Sequence, residues 1–225
     1  MKQGLLSLLF VSLFTLNVRS QSNSTYSIGF NAFSYLQLPG IENQDPLKYI
    51  TTKFNGGLFK IDDRQINYRL TGRFIEQSVD FKSNCINCNL INGKVTDYAI
   101  KIGFEKNLNY SNIQPYFAFD IGYRYNRFKG LRDFIDLQRT IALTDQMETI
   151  KNGLTLSPAL GIRITPVEQL SIFAEGSFDL YFSHLRIQTV AQNTAAQRTE
   201  TSASKKEFLL SPVTVGLQFH LGSRN

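Results

Sequence analysis

The chain has 225 residues, of which 42% are hydrophobic and 19% are charged, and its formal net charge at pH 7 is +6. This length is enough for one substantial domain. The lysines and arginines are scattered among acidic residues rather than clustered, which disfavours a nucleic-acid-binding protein. No apolar run reaches the ~20 residues that a transmembrane helix requires, so anchoring by such a helix is disfavoured too.

The first twenty residues predict a secretory signal peptide. Lys2 supplies the positive charge, residues 5–16 are almost entirely apolar, and small residues precede a cleavage site before Gln21. The alternative is a buried N-terminal helix, but this stretch lacks the polar face of an amphipathic helix. We therefore assign residues 1–20 to the signal and 21–225 to the mature domain. Removal of Lys2 and Arg19 reduces the basic residues from 24 to 22, against 18 acidic residues.

Eight segments of the mature chain alternate apolar and polar residues with a period of two, which predicts β-strands. In chain order they cover about 25–38, 47–61, 64–81, 94–106, 116–125, 154–164, 170–182 and 206–221. The first segment is irregular, because Phe33 and Tyr35 fall on its polar face. In the second, the pattern places Leu58 on the apolar face and Lys53 on the polar face.

The connections between these segments alternate in length. The second, fourth and sixth are short, as at Asp62 and Asp63, whereas the others are long and include residues 129–152 and 188–205. Residues 131–137 are more hydrophobic and predict either an extension of the strands or a short helix. All the long loops would lie at one end of an up-and-down barrel, as in outer-membrane barrels. An even strand number places both termini at the other end.

The polar faces of the segments carry full charges among glycine, alanine and serine. Small residues and opposite charges suit a narrow barrel interior, so the apolar faces would meet lipid. The sequence predicts an ion-pair network in the lumen that consists of Arg69, Arg73, Lys101, Glu105, Asp120, Arg124, Arg163, Glu175 and Asp179. Such a network either plugs the barrel or lines a gated path, and the small barrel size favours the plug.

With these segments in place, the chain resembles the small outer-membrane β-barrel family, of the eight-stranded OmpA-like or OmpX-like type. The closing strand is similar to the assembly signal of such proteins and carries Val215, Leu217, Phe219 and Leu221 on one face. The resemblance implies an all-β fold, an eight-stranded antiparallel up-and-down transmembrane barrel with short periplasmic turns and long extracellular loops. It also implies export to the outer membrane of a Gram-negative bacterium, contact with its lipid, and insertion by the barrel assembly machinery.

The two cysteines, Cys85 and Cys88, form a single CxxC motif. A redox site or half of a zinc site would use this spacing, but the chain has no second CxxC and no βαβ context. In an exported protein, a local disulfide that tightens a loop is the simpler interpretation.

The sequence predicts a structural or surface-interaction barrel that is not an enzyme and needs no cofactor or metal. Ser183 and His184 are neighbours on a strand and therefore point to opposite faces, which disfavours nucleophilic catalysis. A narrow pore and a ligand-binding or transport barrel remain alternatives, as does a soluble lipocalin-like carrier with its apolar face inward. The identity of an extracellular partner does not follow from the sequence.

Overall fold

The computed structural model describes residues 25–41, 49–63, 66–82, 89–109, 111–135, 141–192 and 197–221. Each strand pairs antiparallel with its neighbours in sequence, and β8 pairs with β1 to close the barrel. This confirms the predicted eight-stranded up-and-down fold. The predicted signal peptide and both cysteines lie outside the described residues. The strands are β1 (Thr25–Gln37), β2 (Tyr49–Asp62), β3 (Asn67–Lys82), β4 (Asn89–Asn107), β5 (Ile113–Ile135), β6 (Ile141–Val167), β7 (Leu170–Ala191) and β8 (Arg198–Leu221).

The two ends of the barrel differ strongly. The β2–β3, β4–β5 and β6–β7 connections lie at one end, which we call the short-turn end. The β1–β2, β3–β4, β5–β6 and β7–β8 hairpins rise to the other, the long-hairpin end. The prediction of loops at 129–152 and 188–205 is wrong for most of these residues, because they belong to strands, whereas the alternative of strand extension is confirmed for residues 131–135. Outside lipid, strands still pair through their backbones, but their outer face need not be apolar. The sequence therefore lacks the alternating pattern that identifies a membrane-spanning strand.

The membrane-facing band of the barrel is apolar on its outer surface. On β6, Leu154, Leu160, Ile162 and Ile164 all point outward and are exposed. The eleven residues from Leu154 to Ile164 match the ~9–11 that a tilted strand needs to cross a bilayer. No helix in the described part of the chain is long and apolar enough to span a membrane.

Above this band, towards the long-hairpin end, the two faces exchange character. The outward residues become charged, as in the Lys94–Glu76 and Arg127–Glu148 ion pairs. The inward residues become apolar and form a buried cluster. Water replaces lipid around this part of the barrel, so burial of apolar surface drives the side chains inward. The expectation of a predominantly ionic interior therefore holds within the band, whereas above it apolar side chains dominate and the Lys151–Glu207 and Arg132–Asp145 ion pairs lie beside them. The cluster contains Leu36, Leu38, Ile41, Ile50, Ile75, Ile91, Val95, Phe128 and Met147.

A bulge explains why the sequence pattern fails on β1, and the observed facing of β2 also differs from its pattern. The register shifts between Asn31 and Phe33, so Phe33 and Tyr35 no longer share the lumen face with the residues before the bulge. On β2, Phe54 has a left-handed backbone (φ 50°) and an 83% exposed side chain. The facing of β2 is reversed relative to the prediction on both sides of Phe54, because Lys53 is exposed whereas Leu58 and Lys60 are buried inside the barrel.

Candidate functional site

The lumen near the short-turn end is organised around Glu105 of β4. Its carboxylate is 0% exposed and forms ion pairs with Lys60 of β2 and Arg163 of β6. Asn67 of β3 donates a further hydrogen bond to Glu105. Arg69 lies farther away, at 3.7 Å. A buried carboxylate costs several kcal/mol to desolvate, and here three cations and an amide compensate that cost.

The next layer towards the long-hairpin end is centred on Arg69. Its guanidinium donates two hydrogen bonds to the Asp120 carboxylate, at 2.7 and 2.6 Å, in the bidentate geometry that favours arginine. The same group contacts Glu175 at 2.6 Å, and Tyr116 also donates to Glu175 at 3.0 Å. Strands β3, β5 and β7 are thereby connected across the lumen by one ionic layer.

A third layer surrounds Asp97 and Asp179. Arg124 contacts both carboxylates, at 2.9 and 3.2 Å, and Lys101 contacts Asp179 at 2.6 Å. Arg73 reaches the same two carboxylates only at 3.5 and 3.8 Å, and its Nε and Nη2 atoms have no hydrogen-bond partner. A cavity of about 80 Å³ lies beside Arg73. Arg73 is therefore the least constrained cation of the network.

All nine residues of the predicted network point into the barrel and take part in these ion pairs. Sequence reasoning missed Lys60, because the apolar Ile50 and Leu58 share its lumen face and the pattern places that face outside. It missed Lys151, because the pattern places residues 129–152 in a loop. Lys151 contacts Glu207 at 2.7 Å beside the apolar cluster. The inward cations of these layers are balanced by inward carboxylates. The cations are Lys60, Arg69, Arg73, Lys101, Arg124, Lys151 and Arg163, and the carboxylates are Asp62, Asp97, Glu105, Asp120, Glu175, Asp179 and Glu207.

A second polar cluster closes the short-turn end beside the β8–β1 seam. His220 lies between two hydroxyls, 3.0 Å from Ser27 Oγ and 2.7 Å from Ser171 Oγ. Ser27 also donates to Asp62, whose carboxylate is 3.9 Å from His220 Nδ1. The residue types suggest a nucleophilic triad, but Ser171 is fully buried, so a substrate carbonyl has no access to its Oγ. The cluster connects β1, β2, β7 and β8.

The strands do not all rise to the same height at the long-hairpin end. The β2–β3 pairing stops at Gly56 and Arg73, and the β1–β8 pairing stops at Tyr35 and Val213. By contrast, β7 and β8 remain paired up to Val190 and Arg198. Strands β3 to β8 therefore continue above β1 and β2 as a six-stranded sheet, which we call the protruding wall.

One edge of the protruding wall is the upper part of β8. Its residues 198–211 pair with β7 on one side and with no described strand on the other. The Leu210 N–H donates at 3.0 Å to the Gln37 side chain, so it points away from β7. Along a regular strand, the N–H and C=O groups of successive residues point alternately to the two neighbouring strands, and the β7–β8 register is continuous here. The same outward direction therefore applies to the N–H and C=O groups of Arg198, Glu200, Ser202, Ser204, Lys206 and Phe208.

Comparison with solved structures identifies the architecture. A major outer membrane protein from Thermus thermophilus has a TM-score of 0.51 and 11% identity, over 88% of this chain and 100% of that chain. Ail from Yersinia pestis, in complex with the heparin analogue sucrose octasulfate, has a TM-score of 0.46 and 11% identity, over 90% and 100%. The Escherichia coli outer membrane protease OmpT has a TM-score of 0.46 and 9% identity, over 92% and 100%. Neither protein-family models nor curated protein sequences give a match. The chain has the fold of an eight-stranded outer-membrane β-barrel.

Proposed function

We propose that this protein is a surface-interaction barrel of the bacterial outer membrane that binds an extended segment of another protein at the free edge of β8. The single observation that carries this proposal is the row of backbone groups on residues 198–206 that point away from β7. The filled, charge-matched lumen supports a structural barrel rather than a conducting one. Discrete conductance steps in a planar bilayer would instead favour the pore.

The orientation follows from export and topology. Both termini of the described barrel lie at the short-turn end, since β1 starts there and β8 finishes there. A chain delivered by its signal peptide to the periplasm would keep that end on the periplasmic side. The protruding wall then stands outside the cell, where its edge is accessible to other proteins.

Strand addition uses the backbone for affinity and the alternate side chains for specificity. Each new backbone hydrogen bond contributes about 0.5–1.5 kcal/mol net, so a segment that pairs along this edge reaches useful affinity through several of them. The outer side chains of the edge read Arg198, Glu200, Ser202, Ser204 and Lys206. This charge order favours a partner with acidic residues opposite Arg198 and Lys206 and a basic residue opposite Glu200.

The test uses a synthetic peptide that matches this charge order. It has valine at every even position, glutamate at positions one and nine, lysine at position seven, and threonine at positions three and five. Paired antiparallel, it places its first residue opposite Lys206 and its last opposite Arg198. Fluorescence anisotropy of the labelled peptide on the refolded full chain should give saturable binding, and amide exchange should slow at Ser202 and Ser204.

A proline substitution separates strand addition from other contacts. Ser202→Pro removes an N–H that points away from β7, so it spares the β7–β8 ladder and should weaken peptide binding about tenfold. Ser202→Ala is the matched control, because it keeps the backbone donor and should bind as the parent does. Equal binding by the proline variant, or equal binding of a charge-reversed peptide, would refute the proposal.

A further inference from the structure

The outer surface of β7 and β8 carries an amphiphilic patch at the upper boundary of the apolar band. Its lower part is aromatic, with Phe178 and Phe208 stacked at 4.9 Å between ring centroids. Phe182 lies directly opposite Lys206, and the Lys206 ammonium is 5.8 Å from the centre of its ring. We call this surface the β7–β8 outer patch, and it consists of Phe178, Phe182, Phe208, Lys206, His184 and Arg186.

The upper part of the patch carries two cations without carboxylate partners, Arg186 and Lys206. His184 and Arg186 follow Phe182 on the same face of β7, and both are exposed. In the described part of the chain, no carboxylate lies within ion-pair distance of Arg186 or Lys206. The outward carboxylates nearest to Arg186 in the pairing are Glu148 and Glu200, which lie on either side of Gln188. Glu148 forms an ion pair with Arg127, and Glu200 accepts a hydrogen bond from Gln188 at 3.1 Å.

Other cations at the same level differ in this respect. Lys94 contacts Glu76 at 2.6 Å, and Arg127 contacts Glu148 at 2.6 Å. Their charge is therefore locally neutralised, whereas the charge of Arg186 and Lys206 remains available. This contrast distinguishes the β7–β8 outer patch from the surfaces around Lys94 and Arg127.

We infer that the β7–β8 outer patch binds a lipid that carries phosphate in its headgroup. The acyl chain packs against Phe178, Phe182 and Phe208, and the phosphate lies among Lys206, His184 and Arg186. Arginine and lysine near a membrane surface attract anionic headgroups, and their long stems remain on the apolar side. The aromatic residues continue directly below the cations into the apolar band, which favours a lipid over a soluble polyanion. The inference depends on membrane insertion but not on strand addition at the β8 edge.

The test measures lipid binding to the refolded full chain by native mass spectrometry in a neutral detergent. Phosphatidic acid and phosphatidylcholine with the same acyl chains serve as the two probes. The parent should bind phosphatidic acid more tightly, and R186Q/K206Q should weaken that binding by about thirtyfold, at about fivefold for each cation. The matched control K94Q/R127Q removes two cations that already have acidic partners and should change the affinity less than threefold.

Three results would overturn the inference. The first is equal weakening in both double variants, which would indicate a general charge effect. The second is unchanged phosphatidic acid binding in R186Q/K206Q, provided that heat-modifiable gel mobility shows the variant to be folded. The third is full displacement by a soluble sulfated polysaccharide with no effect of Phe208→Ser, which would assign the patch to a soluble polyanion.

Discussion

Removal of the Glu105 carboxylate is the most direct test of the luminal network. The substitution Glu105→Gln keeps the size and shape of the side chain but removes the charge that faces Lys60 and Arg163. Both cations are almost completely buried, so they would remain desolvated without compensation. Breaking a buried ion pair by removing one partner costs about 3–5 kcal/mol. We expect the free energy of unfolding to fall by about 4 kcal/mol.

The assay is urea unfolding of the barrel refolded into lipid bilayers, followed by the gel mobility of unheated samples. With a denaturant slope of about 2 kcal/mol per molar urea, a loss of about 4 kcal/mol lowers the midpoint by about 2 M. The matched control is Glu76→Gln, which removes a carboxylate of similar geometry from an exposed pair with Lys94, 2.6 Å away. Exposed pairs contribute about 0–1 kcal/mol, so this control should shift the midpoint by less than about 0.5 M.

A double variant identifies the cause of the loss. Lys60→Met combined with Glu105→Gln removes one cation together with the carboxylate, so less charge is left without a partner. The double variant should therefore be more stable than Glu105→Gln alone. If Glu105→Gln and Glu76→Gln destabilise the barrel equally, the luminal ion pairs are solvated and the interpretation of the lumen as a desolvated plug is wrong.

Two further substitutions test the facing of the strands and the packing of the lumen. Ile121→Arg places a charge on the lipid side at mid-band and should cost about 2–4 kcal/mol, measured as the yield of folded barrel in bilayers; normal folding would contradict the outward facing of Ile121. Gly161→Ala would bring a Cβ within 2.3 Å of the Tyr116 ring and should lower the free energy of unfolding by about 1–3 kcal/mol. Gly72→Ala, where nothing lies within 4 Å of the added Cβ, is its control and should unfold at the parent urea concentration.

The inward facing of most charged residues of the lumen could be predicted, because it depends only on the local geometry of each strand and on whether its outer face meets lipid or water. Side chains alternate across a strand, so the inward facing of Arg69, Asp120 and Arg124 follows from the alternation of polar and apolar neighbours. The same logic failed at Lys60, because the apolar Ile50 and Leu58 lie on the same lumen face of β2 and make that face resemble a lipid-facing one. The alternation argument also failed at Lys151, above the band. There the outer face of the strand meets water and is not apolar, so the sequence does not show the alternation of a membrane strand.

The strand number, the antiparallel order and the inside-out arrangement within the band were determined by the sequence alone. These features can be read from the sequence because each strand has lipid on one side and a narrow interior on the other. This difference requires apolar and polar residues to alternate with a period of two. Only the tertiary structure decided which charges meet, as Arg69 meets Asp120 and Glu175 from strands far apart in sequence. The free edge of β8 was likewise decided by tertiary structure, because an edge exists only where the neighbouring strand is shorter, and no local pattern in β8 reports the length of β1.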